Sequence, residues 1–293
     1  MEKKTIKSRL LLTPELSKLE IESINENLKQ LISCIDRELC SLPEGILYIR
    51  YRNSIPNYSK RINGHTYGIT KKPDIIYKLA RRRFLLLQSS IIRQLLDLNW
   101  TRSTLDTFNK KCVQVEELLA KYEAAGLDIN LIVMTPNQQI WNSNRHSQSQ
   151  YRREDLIFPT RGRVYMRSKS EQAIGNLFEK LHIPYRYETR LRISNIDYHP
   201  DFIIMLPDDR LVILEHVGRM DLTDYNKRLI ARLQTYNSVN LFLGREVFLS
   251  FEHDTRDEDL LIRVILQLLT SRPTKNRFLV YAARNAGCNI DLT

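Results

Sequence analysis

Cysteine is scarce in this sequence: Cys34, Cys40, Cys112 and Cys288 are all there are, and no two stand as Cys-x-x-Cys. That spacing excludes a zinc ribbon and a disulfide framework, and free thiols suit a reducing cytoplasm. Long hydrophobic runs are missing too. No stretch approaches the roughly 18 apolar residues of a membrane-spanning helix. The early run Leu10-Leu11-Leu12 is cut by Pro14 and Glu15, which leaves too short a core for a signal peptide. Acidic residues are the scarcer charge, 34 Asp and Glu against 45 Lys and Arg in 293 residues, a formal net charge of +11. With 42% hydrophobic and 27% charged residues, a mostly disordered chain is excluded. The length fits one or two domains. The cationic excess permits a polyanionic partner such as nucleic acid without requiring one.

Most of that excess is N-terminal. Residues 1–150 hold 23 basic and 15 acidic side chains, +8, leaving +3 for the rest. The densest point is Arg81-Arg82-Arg83, with Lys71, Lys72 and Lys78 upstream. It reads equally as a solvated helix face and as a stripe that contacts phosphates. Thr13-Pro14 is a helix start, with Thr13 as cap and Pro14 in the first turn. Ile21, Ile24, Leu28, Leu31, Ile35 and Leu39 then form one apolar stripe on a helix running to about Cys40. This Ile21–Leu39 stripe is also a candidate surface for self-association or a partner. Ile46 to Tyr51 reads as a strand, and Asn63-Gly64 as the turn into a returning strand at His65–Thr70. Further helices are expected from just after Pro73-Asp74 to Leu98 and from about Thr104 to Ala125, the latter stopped by Gly126. Residues 1–135 thus read as a basic, mainly helical domain with a small β-hairpin at about 45–70. The polar, aperiodic stretch that follows makes 136–159 a linker or exposed loop, with Trp141 as an anchor within it.

Beyond residue 160 the pattern is α-β-β-β-α-β-α, with elements expected at about 169–181, 185–193, 198–205, 211–217, 222–236, 246–251 and 256–269. Residues 273–293 form a C-terminal extension in which Phe278–Tyr281 suits an edge strand. Two acids interrupt apolar strands: Asp201, between Pro200 and Phe202, and Glu215, at the end of Leu211–Leu214. A buried carboxylate is costly unless it is paired or binds a metal. Adjacent strands would bring Asp201 and Glu215 to one sheet edge, where they suit a hard cation. The plainer alternative is that each caps a strand or pairs with an arginine.

The ordered set Arg167-Ser168-Lys169-Ser170-Glu171, Tyr185-x-Tyr187-Glu188, His199-Pro200-Asp201-Phe202, Glu215-His216-x-Gly218 and Tyr225 resembles the PD-(D/E)xK nuclease superfamily. It is closest to a branch whose last motif reads Glu-His-x-Gly. The resemblance covers residues 160–255. It implies an α/β (α+β) protein with a restriction-endonuclease-like α-β-β-β-α-β core at 160–272. It also implies hydrolysis of DNA phosphodiesters with Mg²⁺ or Mn²⁺, in a mobile-element or anti-phage setting. Asp201 and Glu215 would be metal ligands and Glu171 an outer ligand or water-orienting group. RNA is not separated from DNA, since no reader of a 2′-OH is identified.

The sequence departs from that superfamily where a lysine usually stands two positions after the strand acid. Here that residue is Val217. Side chains alternate along a strand, so His216 should point the other way unless Gly218 marks a bulge. Either His216 swings in, or it is a core histidine and the cation comes from Lys227, Arg228 or Lys169. The alternative function is a nucleic-acid-binding or assembly protein that keeps the nuclease fold without activity. Tyr225, Arg228 and Arg232 share a helix face and are candidate phosphate contacts, as are Lys169 and Arg167. Arg167, one turn from Glu171, suits equally well an ion pair with that acid.

Overall fold

A computed structural model describes residues 18–96, 102–144, 146, 148–193, 195–218, 221–270 and 290–292. The chain divides into two compact units, Ile24–Val133 and Met134–Thr293, the second counted with Met1–Ser23. The helix start expected at Thr13-Pro14 and the strand expected at Phe278–Tyr281 lie outside the described residues. No helix among the described residues is long and apolar enough to cross a membrane.

The first unit is built on three long helices, α1 (Lys18–Ser41), α2 (Pro73–Leu96) and α3 (Arg102–Ala124). Leu28, Leu31, Ile32, Ile35 and Leu39 of α1 pack into one core with Ile76, Leu79, Phe84, Leu85 and Ile92 of α2. Leu28, Leu31, Ile35 and Leu39 of the expected apolar stripe thus pack inside their own unit. The expected hairpin is a three-stranded meander: β1 (Ile46–Arg52), β2 (Ile55–Ile62) and β3 (His65–Gly68). The missed strand, β2, follows a tight turn at Asn53-Ser54. Both residues have positive φ (50° and 61°), as at Asn63-Gly64 (49° and 81°), and such turns match the twist of the flanking strands. Leu47, Ile49 and Tyr58 hold one face of the meander to the core.

The second unit opens with α5 (Pro136–Ser143), after the short helix α4 (Asn130–Val133) that closes the first. The reading of 136–159 as a linker is corrected here. Thr135 and Gln138 form a reciprocal capping box, and Pro136 occupies the first turn. Trp141 is 2% exposed and packs with Leu191, Ile203, Ile213 and Tyr236. The Arg186 guanidinium lies 4.2 Å from its ring centroid and donates to the Trp141 carbonyl. A short hairpin, β4 (Phe158–Pro159) with β5 (Tyr165–Met166), leads into α6 (Lys169–Lys180). Gly175 lets α6 approach this hairpin, since a Cβ there would stand 2.4 Å from the Met166 methyl carbon.

The main sheet has four strands, hydrogen-bonded in the order Val247–Phe251, Leu211–Val217, Phe202–Met205, Tyr185–Tyr187. Its strands are β6 (Tyr185–Tyr187), β9 (Phe202–Met205), β10 (Leu211–Val217) and β11 (Val247–Phe251). β6, β9 and β10 run antiparallel in turn, and β11 lies parallel to β10 after the crossover α7 (Thr223–Ser238). One sheet face meets α6 and α8 (Glu258–Thr270) through Phe178, Phe202, Leu214 and Ile265. The other meets α7 and Trp141 through Ile203, Ile213 and Tyr236. Buried on both faces, β10 is continuously apolar up to Glu215. Two of the expected strands are each split. β7 (Leu191–Ile193) and β8 (Ile196–Tyr198) leave the main sheet and pair with each other, and β12 (Ile290–Leu292) joins β7.

Candidate active site

The split strands form one long hairpin whose arms change sheet at residues 188–190 and 199–201. Glu188 takes a left-handed conformation, φ 45°, and its N–H donates to the Asp201 carbonyl at 3.0 Å. That bond holds the two arms together where the ladder is interrupted. A polar cleft of about 320 Å³ opens at this break, and Arg167, Glu188, His199, Asp201 and Arg232 line it together with Tyr151.

Phe202 pairs with Leu214 in the β9–β10 ladder, so Asp201 and Glu215 are the next opposed positions. Both belong to the sheet face that carries Ile203 and Ile213. Glu215 is 2% exposed. Its Oε1 accepts from the Tyr236 hydroxyl at 2.6 Å and its Oε2 from Arg232 Nη1 at 2.8 Å. Asp201 Oδ2 accepts from the His216 N–H at 2.7 Å. Burial, and then the Glu215 and Glu171 charges, push the Asp201 carboxyl well above its ordinary range. Burial also raises Glu215, against the pull of Arg232 and Tyr236. Two acids set side by side with one nearby guanidinium resist full ionisation.

Other expected site residues lie elsewhere. Glu171 is the N3 residue of a capping box. Its N–H donates to Ser168 Oγ, and its Oε2 accepts from the Ser168 N–H and the Tyr187 hydroxyl. Helix capping thus accounts for its placement, while its charge still reaches Asp201. Arg167 does not pair with Glu171. It forms a two-pronged bond with Glu188, at 2.5 and 2.9 Å, and also donates to the Tyr151 and Arg152 carbonyls. His216 stays on the opposite face of β10 from Glu215, with Nδ1 3.1 Å from Ser250 Oγ and Nε2 3.4 Å from Glu252 Oε2. Gly218 introduces no bulge that would turn it inward. Lys227 is 74% exposed and faces Asp224 at 3.8 Å, and Lys169 and Arg228 are exposed. None of these lysines or His216 joins the two acids. The cation that does is Arg232, and Tyr225 reaches the His216 carbonyl at 3.1 Å.

The Arg81-Arg82-Arg83 triplet is not a stripe. Arg81 is 6% exposed, with its guanidinium on Glu38 and on the Ile132 and Val133 carbonyls. Arg82 donates to the Leu39 and Leu42 carbonyls, and only Arg83 is exposed. A helix turns successive residues by about 100°, so three in a row cannot share a face.

Among the described residues no three His, Cys, Asp or Glu side chains converge closely enough to hold a metal ion. The fitting donors are the pair Asp201 and Glu215, whose unfavourable ionisation a hard cation would relieve. Mg²⁺ suits such a pair, since it commonly takes one or two carboxylates and fills its shell with water and substrate phosphate. Sequence reasoning passed over Tyr236 and gave no role to His199 and Glu188, which it placed only within motifs. A signal existed for the first, since Tyr225, Arg232 and Tyr236 recur at helical spacing on one face of α7. No family model, no curated protein and no solved structure matches the chain.

Proposed function

We propose that this protein is a metal-dependent nuclease of the PD-(D/E)xK type that hydrolyses DNA phosphodiester bonds. One observation carries the reading: Asp201 and Glu215 are opposed on one sheet face, both resisting ionisation, and Asp201 opens on a cleft that also holds His199, Arg167 and Arg232. The order α6, β6, β9, β10, α7, β11 supports it, because it repeats the α-β-β-β-α-β series that the motifs imply. Asp201 and Glu215 would hold Mg²⁺ or Mn²⁺, which when bound polarises the phosphate and acidifies a water. The chain's own groups do the rest. Arg232 balances the carboxylates and, being partly open to the cleft, stands ready to meet a phosphate oxygen. Burial holds the His199 imidazole below its usual pKa, so it is neutral at pH 7 and able to accept a proton.

Plasmid and linear DNA incubated with Mg²⁺ or Mn²⁺ test the proposal. Cleavage by the wild type, lost in Asp201→Ala and Glu215→Ala, is the expected result. No cleavage, or equal cleavage by the variants, overturns it. A second reading, a nucleic-acid-binding protein without activity, is favoured by two details: both oxygens of Glu215 are already engaged, and Val217 replaces the usual lysine. Salt-sensitive binding with no cleavage by the wild type separates the two.

A further inference from the structure

Between Glu44 and Asp74 the sequence has no acidic residue, yet it holds Arg50, Arg52, Lys60, Arg61, Lys71 and Lys72. These residues belong to the meander and the turn after it, within the first unit. None of the six makes an ion pair among the described residues. By contrast, Arg81 and Arg93 of the same unit are paired with acids. The alternation of the strands sorts them. Leu47, Ile49 and Tyr58 take the core face, so Tyr48, Arg50 and Arg52 of β1 and Asn57, Ser59 and Arg61 of β2 take the other. Arg50, Arg52 and Arg61 are exposed. Ser59 stands opposite both Tyr48 and Gly68, and a Cβ at Gly68 would meet nothing within 4 Å. On this face the half-buried Tyr48 has Ser59 opposite it and the unpaired Arg50 and Arg61 as near neighbours, with Arg52 further along β1.

We propose that this outer face of the meander docks a single strand of nucleic acid. Phosphates would meet Arg50, Arg52 and Arg61, and a base would stack on Tyr48. Unpaired cations of one sign fit a polyanion, and an aromatic ring on a flat sheet offers a platform that an unstacked base fills. A duplex keeps its bases stacked and has no use for the ring. This surface is proposed for the first unit alone; its evidence is binding and does not depend on cleavage.

The test is fluorescence anisotropy of the full chain with labelled single-stranded and duplex oligonucleotides, in EDTA and across a salt series. Arg50→Glu/Arg52→Glu/Arg61→Glu should weaken single-strand binding by on the order of tenfold or more. Replacing the same three by alanine should flatten the salt slope by roughly 2. The three-lysine variant should keep most of the affinity, and Tyr48→Ala should weaken single-strand binding by about tenfold while leaving duplex binding unchanged. Circular dichroism of each variant checks that the fold is intact. Unchanged affinity and slope in the well-folded charge variants overturn the proposal. So does tighter binding to duplex, or to vesicles rich in phosphatidylserine, than to single strands; exposed Ile46 and Ile55 on the same face make the vesicle arm informative. Loss of cleavage in Asp201→Ala with this binding intact keeps the failure of one proposal apart from the failure of the other.

Discussion

Nη1 of Arg232, on the crossover helix, stands 2.8 Å from Oε2 of Glu215, near the end of the central strand. The side chain that balances this carboxylate thus comes from a helix and not from the strand itself. Arg232→Ala should leave Glu215 buried with only Tyr236, destabilising the fold by about 2 kcal/mol. The partial exposure of Arg232 keeps the cost below that of a fully buried pair. Urea unfolding measures it. In Glu215→Gln the same arginine change should cost much less, so a double-mutant cycle reads the coupling directly.

Asp201→Asn should stabilise the protein at neutral pH. The folded state raises this carboxyl above its ordinary 3.8. Between 3.8 and that higher value the folded chain keeps a proton that the unfolded chain releases, so stability falls as pH rises through the window. Above it the full penalty applies. The amide oxygen of Asn still accepts from the His216 N–H. The variant is expected to melt above the wild type at pH 7, and the difference should vanish near pH 3.8. Equal melting of both proteins at pH 7 would count against the electrostatic picture.

Glu171→Gln separates capping from charge. Glutamine keeps the reciprocal cap with Ser168, so thermal stability should hold, whereas Glu171→Ala should lose about 1 kcal/mol. Cleavage that survives in Glu171→Gln would confine the residue to capping.

Arg81→Ala should act on folding. It removes the partner of Glu38 and strands one buried and one half-buried carbonyl, a loss of about 3 kcal/mol. Arg83→Ala should be neutral within about 0.5 kcal/mol. Chemical denaturation of the two variants checks the contrast.

On the proposed nuclease reading, His199→Ala should lower the cleavage rate and alter its dependence on acid. Burial depresses the imidazole pKa below 6.5, so activity that needs the neutral ring should decline only below that pH. The pH–rate profiles of wild type and variant show whether the acidic limb belongs to this histidine.

Helical periodicity and strand composition made much of the fold legible. α2, α3, β10 and α7 fall within a few residues of where the sequence puts them. The opposed acids were legible as well, because a carboxylate is conspicuous in an apolar strand. What escaped depends on contacts distant in sequence. Nothing local in Tyr185–Ile193 announces that Glu188 turns left-handed and sends its strand into a second sheet. The second strand of the meander was hidden by Pro56 and by polar residues suited to an open face. Arg232 looked like a surface cation because its target, Glu215, lies seventeen residues away on another element.

Trp141 and the helix that carries it give the second unit a sharp limit on how its chain can be edited. The polar segment from residue 136 invites trimming, lengthening or removal, as a spacer would. Yet the Trp141 ring fills space between Ile203, Ile213 and Tyr236, and Gln138 donates to the Met205 carbonyl. A fragment begun at residue 160 would leave a ring-sized hole in that core beside the strand that bears Glu215. Insertion tolerance should therefore be low here, and also at the Asp208-Asp209 turn, where Asn137 of the same helix donates to Asp209 and Arg210 pairs with Asp208.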